Sequence, residues 1–441
     1  LVVENGGRVS TFDNLTVNGG SIRFNSTLSV RPGSTFGNLT IGGALTVADG
    51  DVADISIDWA SGTAGEDRTS DTLANTSVVS GANNDSFVTL INGATGAVDL
   101  SDWTLNGENN EALAGKEVVQ GIDQGIDQGT SGTVADAVYG YQLSSSDGTD
   151  LGILFDMKGI RIYDNATLNL TETGTLDVNI SDKNAGGNGG LLVSNDGTDG
   201  GLILTGTNSY TGATTVASGS LTAGASGLGA TSALTVSADA TYTNAGLNTV
   251  GSLDVDGNLV LNNATTLEIT SGTNAITNTA TVSGNGVLNL NGGSLTVTAK
   301  ATSTSGYTGA VGLAAGTDLN LTGTGEAVGL GKGVINTAAG ADVLVSGAGN
   351  RTLTNTIAGA GTLTVNLGAS GNLFSFNNGQ STNGFTGTLN LTSGTVDLTV
   401  DDVLQSATLA TNPNAVVIVN DSDSTDDRYV GNLHLAGGRL D

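Results

Sequence analysis

Few residues in this chain are suited to chemistry, and their spacing argues against most of it. There is one histidine, His434. It sits in Asn432-Leu433-His434-Leu435, alternating with apolar residues, and no Gly-Asp-Ser-Gly loop supplies a nucleophile for a Ser–His–Asp relay. Asp401-Asp402 is a carboxylate pair, but adjacent strand residues face opposite ways. That arrangement does not suit paired acid–base work on a glycosidic bond. Cysteine is absent, which removes disulfides, thiolate metal sites and thiol nucleophiles. The sequence predicts no catalytic residue and no enzyme.

Calcium and ligand contacts are the remaining candidates. Asp421, Asp423, Asp426 and Asp427 crowd four carboxylates into one loop with the oxygen-rich chemistry that Ca²⁺ favours. Solvated acidic turns are the alternative, and no cofactor is required. Asp147-Gly148-Thr149-Asp150 and Asp196-Gly197-Thr198-Asp199 repeat one turn phrase. Trp59 and Trp103, with Asp123 and Asp127 of the duplicated Gly-Ile-Asp-Gln phrase, are the candidate ligand contacts. Aromatic and acidic loops suit protein partners. Either tryptophan can equally be a core residue.

The elements that must position these residues are short strands. Leu15-Thr16-Val17, Leu45-Thr46-Val47, Leu234-Thr235-Val236, Leu295-Thr296-Val297 and Leu363-Thr364-Val365 are copies of one phrase, each followed by a turn rich in Gly, Asn or Asp. A strand this short does not fold alone, but stacked on its copies it forms a solenoid. Composition agrees. Of 441 residues 69 are Gly, about twice the usual share, and only 2 are Pro. The expected fold is all-β: a three-sided parallel β-helix with rungs of about 20 to 25 residues.

Residues 1–53 read as regular rungs. The rhythm breaks over 54–150, which reads as long loops or a small β-rich subdomain. It returns over 151–441. Net charge is -29, with 13 Lys+Arg against 42 Asp+Glu, so the chain repels nucleic acid and anionic lipid. It also repels sulfated polysaccharide unless its few basic residues cluster in the fold. Half of the acid, 21 residues, lies between Glu4 and Asp156, whereas 241–400 holds only seven acidic residues. No apolar run is long enough to span a membrane as a helix, and the start lacks signal-peptide features. The sequence reads as a fragment of a longer secreted protein.

The densest motif spans 201–221: Leu202, Leu204, Gly206, Asn208, Tyr210, Gly212, Thr214, Val216, Gly219 and Leu221 fill ten spaced positions in order. It resembles the passenger-associated repeat of bacterial type V autotransporters. Degenerate echoes follow at Tyr307 and Gly309 and at Phe385 and Gly387. The remaining rungs look like passengers of the AIDA-type adhesins. The resemblance covers 160–441 well and 1–53 loosely, and does not explain 54–150. It implies a right-handed β-helix, carried through the outer membrane by the protein's own C-terminal β-barrel translocator and displayed on, or released from, the bacterial surface. It implies attachment to host extracellular-matrix proteins, or to the same protein on neighbouring cells in autoaggregation, biofilm formation and virulence. Asn208, Tyr210, Gly212, Tyr307, Gly309, Phe385 and Gly387 are expected to be structural. An enzyme acting on polysaccharide or peptide, or a spacer for a distal module, remain the alternatives.

Overall fold

Strands that alternate apolar and polar residues bury one face and need a neighbour to cover it. In the computed structural model this need is met by parallel strands stacked rung on rung, a β-solenoid of about 11 turns, with a mixed β-sheet in the N-terminal part. The structure describes all residues other than 1, 5–7, 11–14, 18–19, 26–37, 41–43, 58–59, 62–66, 75–76, 83–85, 94–95, 124–131, 324, 377–383, 399–403, 419–429, 438 and 441. The chain forms two compact units, Leu1–Gly189 and Gly190–Asp441. The irregular part therefore runs past the expected limit at 150. Leu151–Ile162 is no solenoid rung but one arm of an antiparallel hairpin with Thr133–Ser144.

The second unit is the regular solenoid. One inward column stacks Leu295, Leu319, Val343, Leu363, Leu389 and Leu409 in direct register. Two residues along, Val297, Leu321, Val345, Val365 and Leu391 form a second column. All are buried. The residue between each pair points outward, giving a surface column of Thr296, Asn320, Leu344, Thr364 and Asn390. Two further faces complete the triangle: strands from Leu202–Leu204 to Gly306–Tyr307, and from Leu247–Val250 to Thr356–Gly359. Successive rungs advance by 19 residues at Leu234 to Leu253 and by 26 at Thr362 to Thr388.

Polar residues inside the columns fall into two classes. Asn274 is fully buried but satisfied: its Oδ1 accepts from the Leu253 N–H at 2.6 Å and its Nδ2 donates to the Ser294 carbonyl at 2.9 Å. Thr411, stacked on Leu391, is buried with no partner for its hydroxyl.

The first unit begins as a solenoid and then departs from it. Ile22, Ile55 and Leu105 stack in a four-stranded parallel sheet. A second sheet mixes directions. Ser86–Asn92 pairs parallel with Asn38–Thr40 on one side and antiparallel with Leu151–Ile162 on the other. Thr133–Ser144 and Glu117–Asp123 continue the antiparallel pairing. The hairpin turn is fixed locally. Asp150 accepts from Ser145 Oγ and from the Ser146 N–H and Oγ, and Asp147 accepts from the Thr149 N–H and Oγ1. Asp196 binds Thr198 in the same way. Both repeated turn phrases are thus side-chain-capped turns. The hydrogen bond from the neighbouring Thr hydroxyl, then that from its N–H, holds Asp147 and Asp196 below the usual carboxylate range.

Candidate functional site

A hollow of about 420 Å³ lies on the outer face of the antiparallel sheet in the first unit. Its walls are Leu113 to Lys116, from the end of the Asn110–Leu113 helix, with Gly140, Tyr141 and Gln142 on one strand and Leu154, Asp156 and Lys158 on the next. A smaller hollow of about 140 Å³ shares Lys158 and adds Glu117, Arg161, Asn179 and Ser181. The two form one groove across the sheet.

Strand alternation with one slip places these residues. Ile153, Phe155 and Met157 are buried, and so are Ile160 and Ile162. The phase changes between them because the register with Thr133–Ser144 shifts where Val138 faces Gly159 and Tyr139 faces Met157. A bulge of this kind re-aims the side chains after it. Without it Lys158 and Arg161, three residues apart, would face opposite sides of the sheet. With it, both line the groove. Gly140 keeps the floor open: a Cβ there would come within 2.9 Å of Lys158 Cε.

Each cation has a carboxylate partner. Lys116 lies 3.3 Å from Glu108, Arg161 lies 2.6 Å from Glu117, and Lys158 pairs with Asp156. All three pairs are partly open to solvent, with Lys158 54% exposed, so each contributes little to stability. A fourth pair is different. Asp136, opposite Arg161 in the ladder, is buried and bound by Lys183 at 2.7 Å and by the Tyr163 hydroxyl at 2.8 Å. Lys183 also lies over the Tyr163 ring, 4.6 Å from its centroid. This pair anchors the end of the sheet.

Of the expected ligand contacts, the described Trp103 and Asp123 do not line the groove. Trp103 is 2% exposed and packs in the parallel sheet, a core residue rather than a contact. Asp123 ends its strand half-buried with interactions of its own. Trp59 and Asp127 lie outside the described residues, as do Asp401, Asp402, Asp421, Asp423, Asp426 and Asp427. His434 is exposed on its strand. Among the described residues no group of three or more His, Cys, Asp or Glu could hold a metal, and no helix is long and apolar enough to cross a membrane. The groove cations were missed because Lys116, Lys158 and Arg161 are far apart or out of phase in sequence. The run Phe155-Asp156-Met157-Lys158-Gly159-Ile160-Arg161 carried the only signal, a break in alternation at a glycine.

The motif residues have structural work. Tyr210 is buried, its hydroxyl bonded to Thr214 Oγ1 at 2.8 Å, and Asn208 Nδ2 donates to the Gly227 carbonyl at 2.6 Å. Gly212 is buried. Tyr307 donates to the Ala310 carbonyl at 2.7 Å, and Phe385 is fully buried. A glycine follows each of these aromatic residues by two positions. In the echoes its reason is close approach. A Cβ at Gly309 or Gly387 would lie 1.8 Å from the carbonyl of Gly286 or Gly361 on the neighbouring rung.

Compared with family models, curated proteins and solved structures, the chain finds no match.

Proposed function

We propose that this chain is a binding module displayed on a bacterial surface, the passenger of an AIDA-type autotransporter adhesin, and that its ligand is a host matrix protein held by the groove of the first unit. The observation that carries the reading is the gathering of Lys116, Lys158 and Arg161 around one open groove in a chain of net charge -29. Basic residues are scarce, so two on one sheet face with a third on the wall beside it give the groove a charge pattern unlike its surroundings. A protein surface with both charge signs complements it. The test is binding of the fragment to immobilised fibronectin, laminin and collagen. Binding should fall at least tenfold in the double variant Lys158→Glu, Arg161→Glu with its circular dichroism unchanged. Retained affinity in that variant removes the groove from the interface.

A second reading, self-association, is favoured by a different observation. The outward column Thr296, Asn320, Leu344, Thr364 and Asn390 offers neutral donors and acceptors on four of its five rungs, which are spaced at ~4.8 Å. Many weak bonds along such a line sum through multivalency. Sedimentation over a concentration range separates the two. Reversible association that persists at high salt supports the column, and a strict monomer excludes it.

A further inference from the structure

Nine Asn-Gly steps occur in the sequence, and five of them lie among the described residues: Asn92, Asn106, Asn188, Asn285 and Asn291. A following glycine leaves its backbone N–H open to approach, which makes these the steps at which an asparagine can react with its own chain. The fold treats them unequally. Gly107 N–H donates to Asp54 Oδ1 at 2.7 Å, Gly189 N–H to Asp182 Oδ1 at 2.9 Å and Gly286 N–H to the Leu261 carbonyl at 3.0 Å. The side chains of Asn106, Asn188 and Asn285 are also tied, to Ile57, Asn165 and Asn263. Asn92 closes a paired strand with its Oδ1 buried away from water. Asn291 differs from Asn106, Asn188 and Asn285 in its hydrogen bonds and from Asn92 in its exposure. Its side chain is exposed, and neither that side chain nor the Gly292 N–H has a hydrogen-bond partner among the described residues. It sits at the corner between Val287–Leu290 and Ser294–Val297. There it borders a neutral hollow of about 350 Å³ that also holds Asn289 and Asn336.

We propose that Asn291 is a site of spontaneous deamidation, which writes a negative charge into this neutral hollow as the protein ages. The Gly292 nitrogen attacks Asn291 Cγ, forming a C–N bond and a five-membered succinimide. The Asn291 Nδ2 leaves as ammonia, taking up the proton lost from the Gly292 N–H. Water then opens the ring at one carbonyl or the other, giving aspartate or isoaspartate. No oxidant, and no reactant other than water, is needed. The isoaspartate product also lengthens the backbone at a corner where Gly292 lies against the Thr270 carbonyl, with no room even for a Cβ.

The experiment is incubation of the folded protein in mildly alkaline H₂¹⁸O, with peptide mapping of ¹⁸O incorporation at each step. Asn291 should take up label about five- to tenfold faster than Asn106, Asn188 and Asn285, the factor for freeing one hydrogen-bonded N–H. It should also lead Asn92. Unfolding in denaturant should erase the ranking. The variant Asn291→Gln should lose the label at that position alone while the other four keep theirs. If any of the four matches or outruns Asn291 in the folded protein, or if the folded and unfolded rankings are the same, the proposal is overturned.

Discussion

The two units solve one problem, covering an apolar strand face, in different ways. The second unit repeats a single solution. Leu295, Leu319 and Val343 each cover the next, and the outward surface that results is monotonous and nearly neutral. The first unit interrupts repetition from Ala60 on, folds back on itself in antiparallel strands, and gains a bulge, a groove and three cations around it. Repetition gives a scaffold whose stability is a sum of neighbour contacts. Departure from it gives a surface with one distinctive place. Binding chemistry is therefore sought where the repeat fails.

High pH should divide the units most sharply. Burial pushes the hydroxyls of Tyr210, Tyr242 and Tyr307 above their ordinary pKa of 10.0, and all three lie in the second unit. A group with a raised folded pKa contributes stability that is complete below its unfolded value and is lost as pH climbs past it. The second unit should therefore lose its circular dichroism above pH 10.0, in step with tyrosinate absorbance. Ionisation of these three residues, followed individually by NMR, without loss of structure contradicts their burial.

Next in size are the columns. Leu363→Ala removes a fully buried link and should cost about 3 kcal/mol. In a solenoid the loss should appear as hydrogen exchange spreading from the Val343 and Leu389 rungs, not as uniform unfolding. Asn274→Ala should cost about 2 kcal/mol in urea titration, because it strands the buried Leu253 N–H.

Two substitutions should raise stability, one in each unit. Gln120 is buried in the mixed sheet with neither side-chain amide atom bonded, and Thr411 has its lone hydroxyl. Gln120→Met and Thr411→Val keep the shapes and remove the unsatisfied groups, for about 1 kcal/mol each in denaturant midpoint. A loss at either position means that the polar group has a partner. Smallest of all is Lys158→Met, whose exposed ion pair should change stability by less than about 1 kcal/mol.

Much of the solenoid was legible because its cause is local. A Leu-Thr-Val phrase between glycine-rich turns has one way to bury two of its three residues, and a copy of itself is the partner at hand. The motif at 201–221 was legible for the same reason: Tyr210 and Thr214 are bound to each other within four residues. The tryptophan was not. An indole at position 103 reads equally as a contact or as core until a parallel neighbour, Ala53, is laid beside it.

By itself the sequence determined the β class, the rung length and the absence of any thiol chemistry, because each follows from residue type and short-range period. Only the tertiary structure decided that Lys116, Lys158 and Arg161 share a groove. It also decided that the antiparallel region runs on to Ile162, and that Asn291, of five similar steps, combines an exposed side chain with no hydrogen bond to it or to the following glycine. These depend on register: which residue of one strand lies opposite which residue of another, and where a single bulge shifts the count. Period-two patterns are blind to such a shift, because each side of the slip looks regular alone.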